Sequence, residues 1–166
     1  MVGSRTGNMK FALNGALTIG TIDGANVEMA EQIGVENMFI FGLDAHQVQE
    51  KRNSYDPGGL YDGHRPLRTV VDMIASGQLC PARPDVFEPL VDSLLHRGDP
   101  FMVLADYDAY MEAQQRVDTA FRDQDTWTRT SILNCARIGK FSADRSVDEY
   151  AKKIWHVESI PNHHSS

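Results

Sequence analysis

Apolar and polar positions follow different rhythms on the two sides of residue 53. Residues 7–14, GNMKFALN, set Met9, Phe11 and Leu13 among polar neighbours and read as a short helix stopped by Gly15. Residues 16–21, ALTIGT, are apolar and partly β-branched, which predicts a buried strand. The DGAN run turns the chain, and residues 27–34 form an amphipathic helix ended by Gly34. Residues 38–42, MFIFG, predict a second short strand. Residues 44–52 predict a helix with Asp44 as its N-cap. Alternation of helix and strand is the cadence of a parallel α/β sheet. Two strands make only a fragment of one.

Beyond residue 53 the pattern becomes helical. Residues 53–66, rich in Gly, Pro and Asp, predict a loop. A helix follows with Leu67, Val70, Val71 and Ile74 on one face, then a proline-rich loop and a helix closed by Gly98. Residues 101–105 read as extended and apolar. They lead into a long helix from 108 with Tyr110, Val117 and Phe121 towards the core. Two more helices end the pattern, the last capped by Ser146 with Glu149 three residues on. The fold class expected from the pattern is α/β, a partial parallel sheet of two strands followed mostly by helices. Residues 1–52 would be the end of the α/β part, 53–160 the helical part of the same domain, and 161–166 a disordered tail.

Composition narrows the functions open to such a chain. A net charge of −7 offers no attraction to nucleic acid or an anionic membrane. No stretch reaches the roughly 18 apolar residues of a membrane span, and the opening MVGSRTGNMK has no apolar signal core. The expected location is the cytoplasm. Cys80 and Cys135 lack metal-ligand spacing and read as buried free thiols. The histidines form no i,i+4 ligand pair, and no metal is expected.

Lys10 is the candidate for chemistry. A lysine beside an apolar helix face is commonly a surface residue whose stem covers the core. The alternative is an amine available to a carbonyl compound such as pyridoxal phosphate, with the helix start at Thr6 and Gly7 offering backbone N–H groups to a phosphate. Asp23 and Asn26 have the same two readings, as turn formers or as neighbours of a ligand at a strand's carboxyl end.

Residues 6–42, TGNMKFALNGALTIGTIDGANVEMAEQIGVENMFIFG, resemble the cofactor-binding region of the α-glucan phosphorylases, the glycogen, starch and maltodextrin enzymes. Residues 140–155, KFSADRSVDEYAKKIW, are similar to the last helix of the bacterial type, so the likeness covers about residues 4–157. It implies the carboxyl-terminal part of a much longer, homodimeric enzyme with the Rossmann-like fold of the glycosyltransferase-B type. It also implies pyridoxal 5'-phosphate held by Lys10, its phosphate by the amides of Thr6 and Gly7, and a glucosyl unit near Ser4. In that family the cofactor phosphate shuttles a proton while an α-1,4-glucan and phosphate yield glucose 1-phosphate.

Two positions depart from the family pattern. Val2 stands where a substrate-binding glutamate is expected, and Arg5 where a glycine lets the backbone approach the sugar. Val2 accepts no hydroxyl hydrogen bond, a loss of about 1–3 kcal/mol per unpaired group. The upstream basic residues that surround the two phosphates in the family are not in this sequence, so the isolated chain is expected to be inactive. The competing expectation is a non-catalytic helical remnant that acts only by association. A transaminase-like enzyme fits less well, with no recognised aspartate for the pyridine nitrogen or arginine for a carboxylate.

Overall fold

The computed structural model describes residues 5–158, and for residues 5 and 6 the backbone only. The chain runs α1 (Arg5–Leu13), β1 (Ile19–Gly20), α2 (Gly24–Ile33), β2 (Phe39–Ile40) and α3 (Ala45–Lys51). It continues through α4 (Pro57–Gly63), α5 (Arg65–Ala75), α6 (Glu88–Leu95), α7 (Tyr107–Arg122), α8 (Gln124–Arg137) and α9 (Ala143–Tyr150). Short 3-10 turns at Val35–Asn37, Pro84–Phe87 and Ile138–Phe141 and a π-turn at Ala151–Trp155 complete the described residues.

The strands pair in parallel, Ile19 with Phe39 and Gly20 with Ile40, connected through α2. This small parallel sheet followed by helices is the α/β order that the hydrophobic pattern predicts, and it is consistent with the partial Rossmann-like domain that the resemblance implies. Each strand is shorter than its apolar run, because among the described residues each has a single neighbouring strand. α2 starts earlier than expected: Gly24, at φ +46°, opens the helix and Asp23 occupies the N-cap position, so most of the DGAN run is helical.

Two apolar clusters hold the described residues together. One gathers Ala12, Met29, Ile33, Met38 and Ile138, with Met9, Leu13, Ala30, Ile40 and Phe141 against it. Ile138 brings the end of α8 under α1, closing the α/β part with residues distant in sequence. The other gathers Leu67, Val71, Leu94 and Leu104, with Leu60, Tyr61 and Tyr107 nearby.

Several expected features differ. The loop at 53–66 contains α4, started by Asp56, which accepts from the Gly59 amide at 3.0 Å, and by Pro57 in the first turn. This cap and the packing of Leu60 and Tyr61 offset the low helix propensity of its glycines. Residues 101–105 are not extended. Buried Asp99 accepts from the Leu104 amide at 2.8 Å and from the Tyr55 hydroxyl at 2.6 Å, curling the segment, with Asp99 and Met102 at φ +44° and +54°. Tyr110 and Phe121 are exposed and Ala113 is the buried residue of α7. The two aromatics instead meet Phe41 and Trp127 edge-on, at 5.2 and 5.1 Å between ring centroids.

The last helix is capped by Ser142, whose hydroxyl accepts from the Arg145 amide at 3.2 Å. Packing of Ile138 and Phe141 on the first cluster fixes where the preceding turn ends, and this leaves Ser146 inside the helix. Both cysteines are free, but Cys135 is exposed and Cys80 only partly buried, so neither is the buried thiol its apolar neighbours suggested. The proposed tail at 161–166 lies outside the described residues. No helix among those described is long and apolar enough to cross a membrane.

Candidate functional site around Lys10

Lys10 lies in the middle of α1, whose inward face is Met9, Ala12 and Leu13. Packing of that face on α2, α8 and the 138–141 turn leaves Lys10 exposed. Thr6 and Lys10 are four residues apart and Gly7 three, so all three share one side of the helix. Thr6 and Gly7 are the second and third residues of α1 as described. A Cβ added to Gly7 would meet nothing within 4 Å, so a ligand can approach the backbone there.

Both ends of α1 are tied down. At its C-terminus the Asn14 side chain donates to the Lys10 carbonyl at 2.7 Å, and Gly15 reverses the chain at φ +84°. The Ser131 hydroxyl on α8 donates to the Gly15 carbonyl at 2.7 Å, and the Cys135 thiol lies 3.5 Å from the Leu13 carbonyl. Nearer the N-terminus, the Asn8 amide donates to Asn26 Oδ1 at 3.1 Å. Asn26 in turn donates to the Thr21 carbonyl at 2.9 Å. Arg137 anchors the end of α2 by donating to the Ile33 carbonyl at 2.9 Å.

The carboxyl ends of β1 and β2 open onto a groove of about 500 Å³, lined by Thr21, Asp23, Phe41, Leu43, Asp106 and Tyr110 among others. Asp106 accepts from the Leu43 amide at 2.8 Å. Burial raises its carboxyl above the ordinary 3.8, opposed by that hydrogen bond. Lys10 is not among the residues lining this groove. The structure groups Thr6, Gly7 and Lys10 on one helix side, while Asp23 lines the groove.

Ser4, expected near a glucosyl unit, lies outside the described residues, as does Val2. Arg5 is the first residue of α1. The hydrogen-bonded supports Asn8, Asn26 and Ser131 were not foreseen as a set. Asn26 stood out in the IDGAN run, whereas nothing local in the sequence links Ser131 to Gly15.

A lysine-bearing helix beside a fragment of a parallel sheet defines the class: a piece of a Rossmann-like α/β domain with an exposed amine. Residues 1–157 match the family model described as carbohydrate phosphorylase, and the chain belongs to that family. It is 52% identical over 157 residues to glycogen phosphorylase of Chlamydia pneumoniae, covering 95% of this chain and 19% of that protein. To the human brain form of glycogen phosphorylase it is 53% identical over 156 residues, covering 93% and 18%. To the Synechocystis protein, also a glycogen phosphorylase, it is 48% identical over 158 residues, covering 95% and 18%. The chain thus spans about a fifth of the length of these relatives. Similarity to the human protein is as high as to the bacterial ones, so it defines the family without singling out the bacterial type expected from residues 140–155.

Proposed function

We propose that this chain is the cofactor-lysine segment of an α-glucan phosphorylase. Lys10 holds pyridoxal 5'-phosphate through its amine, and the amides of Thr6 and Gly7 hold the cofactor phosphate. Residues 1–52 form the end of the cofactor-binding α/β part and 53–160 the helical part of the same domain. Ile138 packing beside Met29 supports that last assignment.

The observation that carries this reading is Lys10 on an anchored helix, exposed and in no ion pair among the described residues. The residues present fit the group: an accessible amine, one turn from backbone N–H groups beside a glycine with open space. When bound, the cofactor supplies its 5'-phosphate as the acid–base group for phosphorolysis. The chain's own contribution is to anchor and orient. α1 fixes where the amine stands, and Gly7 admits an anion to the backbone. By the family pattern, positions 4 and 5 would serve the glucosyl unit, and the arginine in place of a glycine at position 5 would cost affinity for the sugar.

In the complete enzyme the substrates are an α-1,4-glucan and phosphate, the product is glucose 1-phosphate, and the assembly is a cytoplasmic homodimer. Two phosphates in contact need several surrounding cations, and α1 carries only Arg5 and Lys10, so residues 1–166 by themselves are expected not to turn over.

A second reading, association without catalysis, is favoured by the large apolar side chains left on the surface. Phe11 and Phe101 are 68% and 66% exposed.

The test adds pyridoxal 5'-phosphate to the chain and to a Lys10→Ala variant, then assays maltoheptaose with phosphate for glucose 1-phosphate. The expected result is a borohydride-sensitive absorbance band that depends on Lys10, with no product from either. An unchanged band in the variant overturns the cofactor assignment. Product that depends on Lys10 overturns the claim of inactivity.

A further inference from the structure

Asn26 is 7% exposed, and both ends of its side-chain amide are engaged: the oxygen accepts from Asn8 on α1 at 3.1 Å, and the nitrogen donates to the Thr21 carbonyl just beyond β1 at 2.9 Å. One side chain therefore links the lysine helix, the carboxyl end of a strand and the first turn of α2. Gly20 leaves the room it needs, since a Cβ there would stand 2.7 Å from the Asn26 nitrogen.

A helix packed by apolar contacts alone can rotate and slide by small amounts, because such contacts carry little direction. A hydrogen bond from one side of the helix removes that freedom. Asn8 and Lys10 are two residues apart, about 200° around the helix axis, so a tether at Asn8 sets the azimuth of the opposite side. That side carries Lys10, Thr6 and Gly7.

We infer that Asn8 and Asn26 are positioning residues that set the orientation of the Lys10 amine for pyridoxal 5'-phosphate. The inference rests on the cofactor reading above. Neither residue touches the reacting atoms. They act through α1, and together they keep the amine and the first-turn amides aimed at one ligand. The Gly15–Ser131 contact holds the other end of the helix but lies beyond Lys10, so it fixes the helix's axial position more than its rotation.

The test uses Asn8→Ala, an exposed position whose loss opens no core cavity, and Asn26→Asp, which keeps the volume and the acceptor but removes the donor to Thr21. Each protein receives limiting pyridoxal 5'-phosphate, is fixed with borohydride, and is mapped for the share of adduct on each lysine. Amide hydrogen exchange is followed in residues 7–11 and, as a control, in α5. The expected result is a ratio of adduct on Lys10 to adduct on the other lysines reduced roughly fivefold in both variants, the factor one hydrogen bond of ordinary net strength supplies. Exchange should be faster in residues 7–11 and unchanged in α5.

If wild type favours Lys10 and the variants favour it equally, the positioning role is wrong and the cofactor reading stands. Faster exchange with an unchanged Lys10 share marks a structural role and overturns the proposal as well. If wild type shows no preference for Lys10, the cofactor reading fails and the proposal, which rests on it, fails with it.

Discussion

The two apolar clusters are built by opposite strategies. The second, around Leu67, Val71, Leu94 and Leu104, is assembled from neighbouring helices and a short turn, and its polar device is the buried Asp99. The first, beneath Lys10, takes residues from both ends of the described chain, from Ala12 to Ile138, and adds a ring of directional hydrogen bonds around α1. The difference teaches that burial alone makes a core, whereas aiming one side chain needs polar contacts with defined geometry. The Lys10 region spreads such contacts around one helix, whereas the second cluster concentrates its own on Asp99.

Truncation should separate the two clusters most strongly. Ile138→Ala, at a fully buried position, is expected to cost about 2–5 kcal/mol and to loosen α1, and Leu67→Ala to cost a similar amount without reaching α1. Urea unfolding combined with hydrogen exchange in residues 7–11 checks both. Equal exchange in the two variants would erase the distinction drawn between the clusters.

Asp99→Ala is next in size. It leaves the Tyr55 hydroxyl and the Leu104 amide without their acceptor, a loss of about 1–3 kcal/mol for each buried group left unpaired. Thermal unfolding should drop while the Lys10 region keeps its exchange pattern. Ser131→Ala, on the functional side, should cost about 1 kcal/mol and act mainly on the end of α1.

Asn134 sharpens the comparison from another direction. It is fully buried in α8, and both polar atoms of its side chain lack a partner among the described residues. Replacing an unsatisfied polar group by an apolar one of similar size is neutral or stabilising. Asn134→Leu should therefore leave the unfolding midpoint unchanged or raised. A clear loss would mean that Asn134 has a partner, such as a bound water.

The smallest effect concerns pH at the groove. Burial raises the Asp106 carboxyl above 3.8, so its contribution to stability is fully present below the unfolded value and is lost as pH rises through the folded one. Asp106→Asn keeps an acceptor for the Leu43 amide and removes this titration. The stability of wild type relative to the variant should fall as pH rises from 3.8, measured by urea unfolding across that range. A flat difference would sink the assignment.

Much of the fold was legible because its signals are local. Apolar runs marked both strands, and Asp44 announced α3 as its N-cap, to which the structure adds Gln47 as a capping box. Gly15 and Gly34 marked helix ends at positive φ. What the sequence hid depends on contacts distant in the chain. The continuous apolar run at 101–105 reads as extended, yet Asp99, held by Tyr55, curls it into turns. The glycines of 53–66 look like a loop, yet the Asp56 cap and packing on the second cluster make a helix. Of the candidate site, Lys10, Thr6 and Gly7 were readable from one motif. Their supports were not, because Asn8–Asn26 and Ser131–Gly15 join residues 18 and 116 positions apart.

The most direct measurement of the central claim is the map of borohydride-fixed adduct after limiting pyridoxal 5'-phosphate is added to the unmodified chain. The account predicts that Lys10 carries most of it, ahead of Lys51, Lys140, Lys152 and Lys153. Adduct spread over the five lysines according to exposure alone would contradict it and leave Lys10 an ordinary surface amine.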